Sequence, residues 1–210
     1  MEFYRDRDQA GTELGRAVRA VLRPAESAIV LALPRGGVPV ASRVAQAIAA
    51  PLDVLVVRKL GVPFNPEYAF GAIASGGARY LDERVTRSLA LSPQQVAAVT
   101  AAETIELNRR EAKYRGGRPL PTLTGKTVII VDDGIATGST ARAAITAVKQ
   151  QGANKVILAV PVAPADTADA MRALVDAFVC PLVVEDFQAV GQFYLAFGQV
   201  EDAEVIEALS

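Results

Sequence analysis

The stretch Thr127–Thr140, TVIIVDDGIATGST, carries the reading of the whole chain. Val128–Val131 is a short β-branched run of strand length, closed by two adjacent acids, Asp132 and Asp133. Gly134, Ala136, Thr137, Gly138, Ser139 and Thr140 follow, and then Ala141, Ala144, Ile145 and Val148 repeat at helical spacing up to a stop at Gly152. Glycines let backbone amides approach an anion closely, and a helix N-terminus adds unsatisfied N–H groups and a partial positive charge. The hydroxyls can donate further hydrogen bonds to phosphate oxygens. Two acids would repel a phosphate, but they suit the vicinal hydroxyls of a sugar. The loop therefore predicts a ribose 5-phosphate site, with the phosphate on the helix end and the diol on the aspartates. An ordinary turn with a helix cap is the plain alternative. Because they are adjacent, the two acids should point apart on an extended chain, which argues against a carboxylate dyad.

Working outward, Ala28–Leu33 (AIVLAL) reads as a buried strand between Pro24 and Pro34-Arg35-Gly36-Gly37. A helix follows on Ala41, Val44, Ala45, Ile48 and Ala49, then a strand at Asp53–Val57. Val156–Val160 is another strand, Ala170, Ala173, Leu174, Ala177 and Phe178 mark a helix, and Phe178–Val184 is a last apolar run. Continuous apolar strands alternating with amphipathic helices predict an α/β fold, a doubly wound and mostly parallel sheet. Residues 61–118 interrupt the rhythm, with a helix start at Ser92-Pro93, and an insertion of that length suggests a lid. Pro181 predicts an edge strand.

The 210 residues suit one compact domain, 51% hydrophobic and 21% charged. At this length roughly 70% of the unfolded surface can be buried. A net charge of −1 argues against a general nucleic-acid binder. With no histidine, every His-based triad, general base and metal site is excluded. Cys180 alone forms no internal disulfide, and its apolar setting predicts a buried thiol rather than a nucleophile. No apolar run approaches the ~18 residues that span a bilayer. The charged start, Met1–Asp8, is no signal peptide, so the expectation is a cytoplasmic protein without a membrane partner.

Other phosphate loops fail on spacing. Gly125-Lys126-Thr127 resembles the end of a Walker A motif, but Leu120 stands where its first glycine belongs, and a strand follows. No G-x-G-x-x-G follows the first strand. Residues 128–140, VIIVDDGIATGST, resemble without a gap the PRPP-binding signature of the type I phosphoribosyltransferases. Phe3-Tyr4-Arg5-Asp6-Arg7 and the ALPRGGVPVA segment are similar to a small prokaryotic subgroup of that family. The resemblance implies a five-stranded core over about 10–180 with lid insertion 61–118. It also implies a hood over about 181–210 plus the N-terminal segment, all within one domain, 1–210.

By the same resemblance Asp132 and Asp133 bind the ribose hydroxyls of PRPP, and Ala136–Thr140 with Gly134 hold its 5-phosphate. Pro34-Arg35-Gly36-Gly37 opens the first helix as a second anion site, at the family's diphosphate-loop position, and Arg35 adds a guanidinium. In a sheet ordered 3-2-1-4-5 the first and fourth strands are neighbours, so both loops meet at the switch point. Arg58 and Lys59 close the second strand, either as diphosphate contacts or as an ordinary strand-end pair. Glu106–Arg115 reads as a solvated helix face or an arginine arm, and Phe187 as edge packing or a platform for a base.

The implied reaction transfers a phosphoribosyl group from PRPP to a nitrogenous base, with Arg35, Lys59 and Asp133 as catalytic residues. Mg2+ is the implied cofactor, held indirectly by Asp132 and Asp133, and a homodimer is common in the family. Ala136 replaces the carboxylate of hypoxanthine-type enzymes, which turns the expectation away from 6-oxopurines and leaves Glu185 as a proton acceptor. The rival readings are a non-catalytic PRPP-binding regulator and a phosphohydrolase. The second lacks its D-x-D, since Gly134 lies two residues after Asp132.

Overall fold

The computed structural model describes residues 3–23 and 26–210, so Pro24 and the first two residues of the charged start lie outside the described residues. In chain order the first elements are α1 (Arg7–Val21), β1 (Ala28–Ala32), α2 (Gly37–Ile48), β2 (Leu52–Val54), β3 (Val57–Val62) and β4 (Asn65–Ala74). Next come β5 (Ala78–Leu81), α3 (Glu83–Ser88), α4 (Pro93–Arg115), β6 (Thr127–Val131), α5 (Ser139–Gln150) and β7 (Lys155–Ala159). The chain ends with β8 (Val162–Pro164), α6 (Ala165–Arg172), β9 (Ala177–Val179), β10 (Leu182–Val184) and α7 (Asp202–Ala208).

The core is a parallel sheet of five strands in the order β2-β1-β6-β7-β9. Both faces are buried, which is why the strands read as unbroken apolar runs. Val30, Ala32, Ile129, Val131, Ile157 and Ala159 face one core, with α1, α2 and the C-terminal α7. Ile29, Leu31, Val128, Ile130, Val156 and Leu158 face the other, with α5 and α6. The doubly wound fold is as expected, with one correction to its order. No third strand extends the sheet beyond β2, because the strands of the interruption form a separate antiparallel sheet, β3-β4-β5. The strand carrying the acids is thus the third of the core, but it pairs with β1 along its length, from Ala28↔Thr127 to Ala32↔Val131.

Three boundaries differ from the sequence reading. The run Asp53–Val57 is divided: β2 pairs with β1, whereas the Val56 N–H donates to Ser75 Oγ and Val57 begins the separate sheet. Arg58 and Lys59 therefore lie inside β3, not at the end of the second strand. The helix expected through Phe178 stops at Arg172, and Ala177 and Phe178 form the edge strand β9. There the Asp176 carboxylate accepts from the Val156 N–H, and the Asp176 N–H donates to the Val156 carbonyl. No glycine or proline lies between Ala165 and Cys180 to mark that change. Pro181, which cannot donate to a ladder, separates β9 from β10, and β10 pairs with β8 instead.

The Ser92 cap appears as read: its hydroxyl accepts from the Gln95 N–H, and the Gln95 side chain accepts from the Ser92 N–H. The N-terminal segment joins the C-terminal region, where the Tyr4 N–H donates to the Phe193 carbonyl and the Leu195 N–H to the Tyr4 carbonyl. Cys180 donates to the Leu182 carbonyl, and burial pushes its thiol up to about 12, consistent with an unreactive side chain. No helix among the described residues is long and apolar enough to cross a membrane.

Candidate active site

Strand pairing builds the site. Because β1 and β6 are neighbours, Leu33 donates to the Val131 carbonyl at 2.8 Å, and the loops leaving both strands lie side by side. The chain winds away from this seam in opposite directions, to β2 on one side and to β7 and β9 on the other. Such a switch point opens a crevice at the carboxyl ends of the strands.

The loop after β6 is pinned from outside. The Ile135 N–H donates to the Val162 carbonyl at 3.1 Å, and the Thr167 hydroxyl donates to the Ala136 carbonyl at 2.7 Å. Gly134 is required by contact, since a methyl there would stand 2.7 Å from Val190 Cγ1. Gly138 caps α5 at φ 70°, a left-handed conformation that favours glycine. The first intrahelical bond runs from the Arg142 N–H to the Gly138 carbonyl, so Ser139, Thr140 and Ala141 have no acceptor within the helix. The Ser139 N–H donates to the Thr137 hydroxyl at 3.5 Å, a long bond. Ala136, Thr137 and Ser139 are exposed. The amide cup therefore faces solvent.

The loop after β1 turns against the acids. Its Pro34–Arg35 peptide is cis. A methyl on Gly36 would meet Asp133 Oδ2 at 2.2 Å, and one on Gly37 would stand 3.2 Å from Asp132 Oδ1. Both carboxylates thus lie along consecutive glycines of the neighbouring loop, although they are adjacent in sequence. Arg35 reaches across to the start of α7, at 3.9 Å from Glu201 and 3.8 Å from Asp202. Asp202 is also held by Lys113 and, at 2.8 Å, by the Tyr114 hydroxyl.

Electrostatically the acids differ. Burial drives the Asp132 carboxyl well above the usual range, and the neighbouring Asp133 charge adds to the effect. Burial also raises Asp133, but the Arg7 guanidinium opposes it, with Nε and Nη2 each 2.8 Å from Asp133 Oδ2. The Asp133 N–H donates to Asp132 Oδ1, and the Tyr194 hydroxyl donates to the Asp133 carbonyl at 2.6 Å. Two hard carboxylates suit Mg2+ when most of its oxygens come from waters and a substrate. No group of three His, Cys, Asp or Glu side chains that could hold an ion exists among the described residues.

The remaining candidates separate. Lys59 lines a cleft of about 470 Å³ between the β3-β4-β5 sheet and α5, together with Tyr80, Arg142 and Ser139 of the phosphate loop. Arg58, one residue away on the alternate face, pairs with Glu103 of α4 at 2.7 Å and is turned from that cleft. Arg109 and Arg110 pair with Glu106, the solvated-face reading. Arg115 is buried against Asp53, Glu111 and the Val54 carbonyl. Phe187 stacks on Phe193 at 5.5 Å, the packing alternative. Nothing in the local sequence assigns Arg7, Tyr194 or the Glu201–Asp202 pair to the site, because their partners there lie 61 or more positions away.

A family model described as phosphoribosyl transferase domain matches residues 15–197. The chain belongs to the phosphoribosyltransferase family. It is 48% identical over 209 residues to the Mycobacterium tuberculosis protein Rv0571c, provisionally named a phosphoribosyl transferase. All of the chain is covered, but 47% of that relative, so the chain spans about half the length of the curated relatives it matches. The crystal structure of TT1426 from Thermus thermophilus superposes with a TM-score of 0.87 at 40% identity, covering 100% of this chain and 98% of that one. AQ2163 from Aquifex aeolicus shares the fold at a TM-score of 0.52 and 14% identity, over 88% of this chain and 76% of that one. The phosphoribosyltransferase fold thus accounts for the crevice between the two loops.

Proposed function

We propose that the chain transfers a 5-phosphoribosyl group from PRPP to a nitrogenous base, releasing diphosphate with inversion at the anomeric carbon. One observation carries this reading: an open amide cup and two carboxylates follow β6, and an arginine-bearing glycine loop lies against those carboxylates. A ligand with a phosphate at one end, a diol in the middle and a diphosphate at the other end matches that order of groups. The Gly134–Thr140 loop would hold the 5-phosphate through the amides at the start of α5 and the hydroxyls of Thr137, Ser139 and Thr140. Asp132 and Asp133 would accept from the ribose hydroxyls. Arg35, with the amides of Gly36 and Gly37, would stabilise charge that grows on the leaving diphosphate, and Lys59 would approach it from the cleft. Mg2+, when bound, supplies further charge neutralisation for that leaving group. Arg58 pairs with Glu103 at 2.7 Å, so it would reach the diphosphate only by giving up that contact.

Diphosphate release is the direct test, measured with PRPP and a panel of purine and pyrimidine bases, with and without Mg2+. Release that requires both PRPP and one class of base is the expected result. Tight PRPP binding with no release for any base would instead make the chain a PRPP-responsive regulator, and phosphate release from generic esters would make it a hydrolase.

A further inference from the structure

We infer that Arg7 is a positioning residue of the ribose site, a fixed strut that holds Asp133 by one oxygen and leaves the other for the sugar diol. The inference rests on the phosphoribosyl-transfer reading above and deepens it. Both guanidinium contacts, from Nε and Nη2, fall on Asp133 Oδ2. Arg7 Nη1 donates to the Gly198 carbonyl at 2.7 Å, and the guanidinium carbon lies 3.8 Å from the centre of the Phe197 ring. The side chain is 11% exposed, so its fork is engaged on every side.

The base of the strut is rigid as well. Arg7 is the first residue of α1, whose cap Asp6 accepts from the Gln9 N–H at 2.8 Å. The helix packs closely on α2: a methyl on Gly11 would meet the Val40 carbonyl at 2.8 Å, and one on Gly15 would meet Ala47 Cβ at 2.7 Å. The Tyr194 hydroxyl holds the backbone of Asp133 from the C-terminal side. Arg7 and Tyr194, 187 positions apart, thus converge on one aspartate. An unbraced carboxylate on a strand-end loop would rotate among rotamers, and a ligand would have to order it; a braced one has that entropy already removed. A planar fork that sets two donors on one oxygen does this more firmly than an ammonium.

The test is a double-mutant cycle on PRPP affinity, measured by calorimetry with Arg7→Gln, Asp133→Asn and the pair combined. Arg7→Gln should weaken binding about tenfold or more, the scale of a charge-assisted hydrogen bond. Its effect on kcat at saturating PRPP should be much smaller. The double variant should bind no worse than Asp133→Asn alone, because Arg7 acts only through that side chain. Arg7→Lys, which keeps the charge but not the planar group over Phe197, should recover only part of the affinity and serves if the Gln variant fails to fold. Additive losses in the double variant, or unchanged affinity in the Arg7 variants while Asp133→Asn is weakened, would overturn this inference alone. Unchanged affinity in Asp133→Asn would overturn the diol assignment and this inference with it.

Discussion

Gly36 lies against Asp133 so closely that a methyl on its α-carbon would stand 2.2 Å from Oδ2. The contact joins the loop after β1 to the acids after β6, and it binds the two halves of the proposed site together. Oδ2 cannot swing away freely, because Arg7 holds it through two contacts. Gly36→Ala should therefore displace the carboxylate, cost about 1–3 kcal/mol of stability as overpacking does, and weaken PRPP binding. Chemical denaturation and PRPP titration check both effects; unchanged affinity would mean that Asp133 does not touch the ligand.

Among the described residues the Arg35 guanidinium makes only long contacts, at 3.8–3.9 Å, to Asp202 and Glu201. A guanidinium loosely held at the proposed diphosphate loop is free to tighten on a leaving group. Arg35→Ala is expected to lower kcat by about tenfold or more, with a smaller change in KM for PRPP. A rise in KM with kcat preserved would mark Arg35 as a ground-state anchor instead.

Arg115 performs a structural task. It is 3% exposed and engages Asp53, Glu111 and the Val54 carbonyl, tying the end of α4 to the edge of the main sheet. Arg115→Met leaves Asp53 without its partner, and breaking a buried pair from one side costs about 3–5 kcal/mol. For a chain of this size that lowers Tm by about 6–20 °C, measurable by scanning calorimetry. PRPP affinity below the transition should stay close to that of the unaltered protein.

Glu26 supplies a pH signature at the opposite end of the sheet. Its carboxylate accepts from the Thr127 hydroxyl and the Arg23 N–H and pairs with Lys155, and these partners hold its pKa down to about 2 from 4.5. A depressed folded-state pKa contributes stability above the unfolded value and loses it as pH falls through the folded one. Glu26→Gln should cost about 1–2 kcal/mol near neutral pH, and the deficit should shrink between about pH 4.5 and pH 2. Urea melts across that range decide it; a deficit independent of pH would point to shape rather than charge.

The strand–acid–glycine–hydroxyl–helix order at 127–140 was legible because each part acts locally. Apolar residues form a buried strand, Gly138 takes a left-handed φ, and the N–H groups of Ser139 to Ala141 face outward whatever surrounds them. The pairing of β1 with β6 was expected only within a sheet ordered 3-2-1-4-5; the pairing holds, but the order does not, since the sheet runs β2-β1-β6-β7-β9. What the sequence could not determine was where uniform apolar runs are cut. Asp53–Val57 crosses from one sheet to another, where the Val56 N–H donates to Ser75, and Ala177–Phe178 leaves helical spacing for an edge strand, where the Val156 N–H donates to Asp176. Alternation on an isolated strand set Asp132 and Asp133 apart, and only the neighbouring loop, with Gly36 and Gly37 beneath them, brings both to one crevice. The brace on Asp133 comes from Arg7, 126 positions away. Local order is written in neighbouring residues, whereas a bond between residues 126 positions apart exists only after the sheet has folded between them.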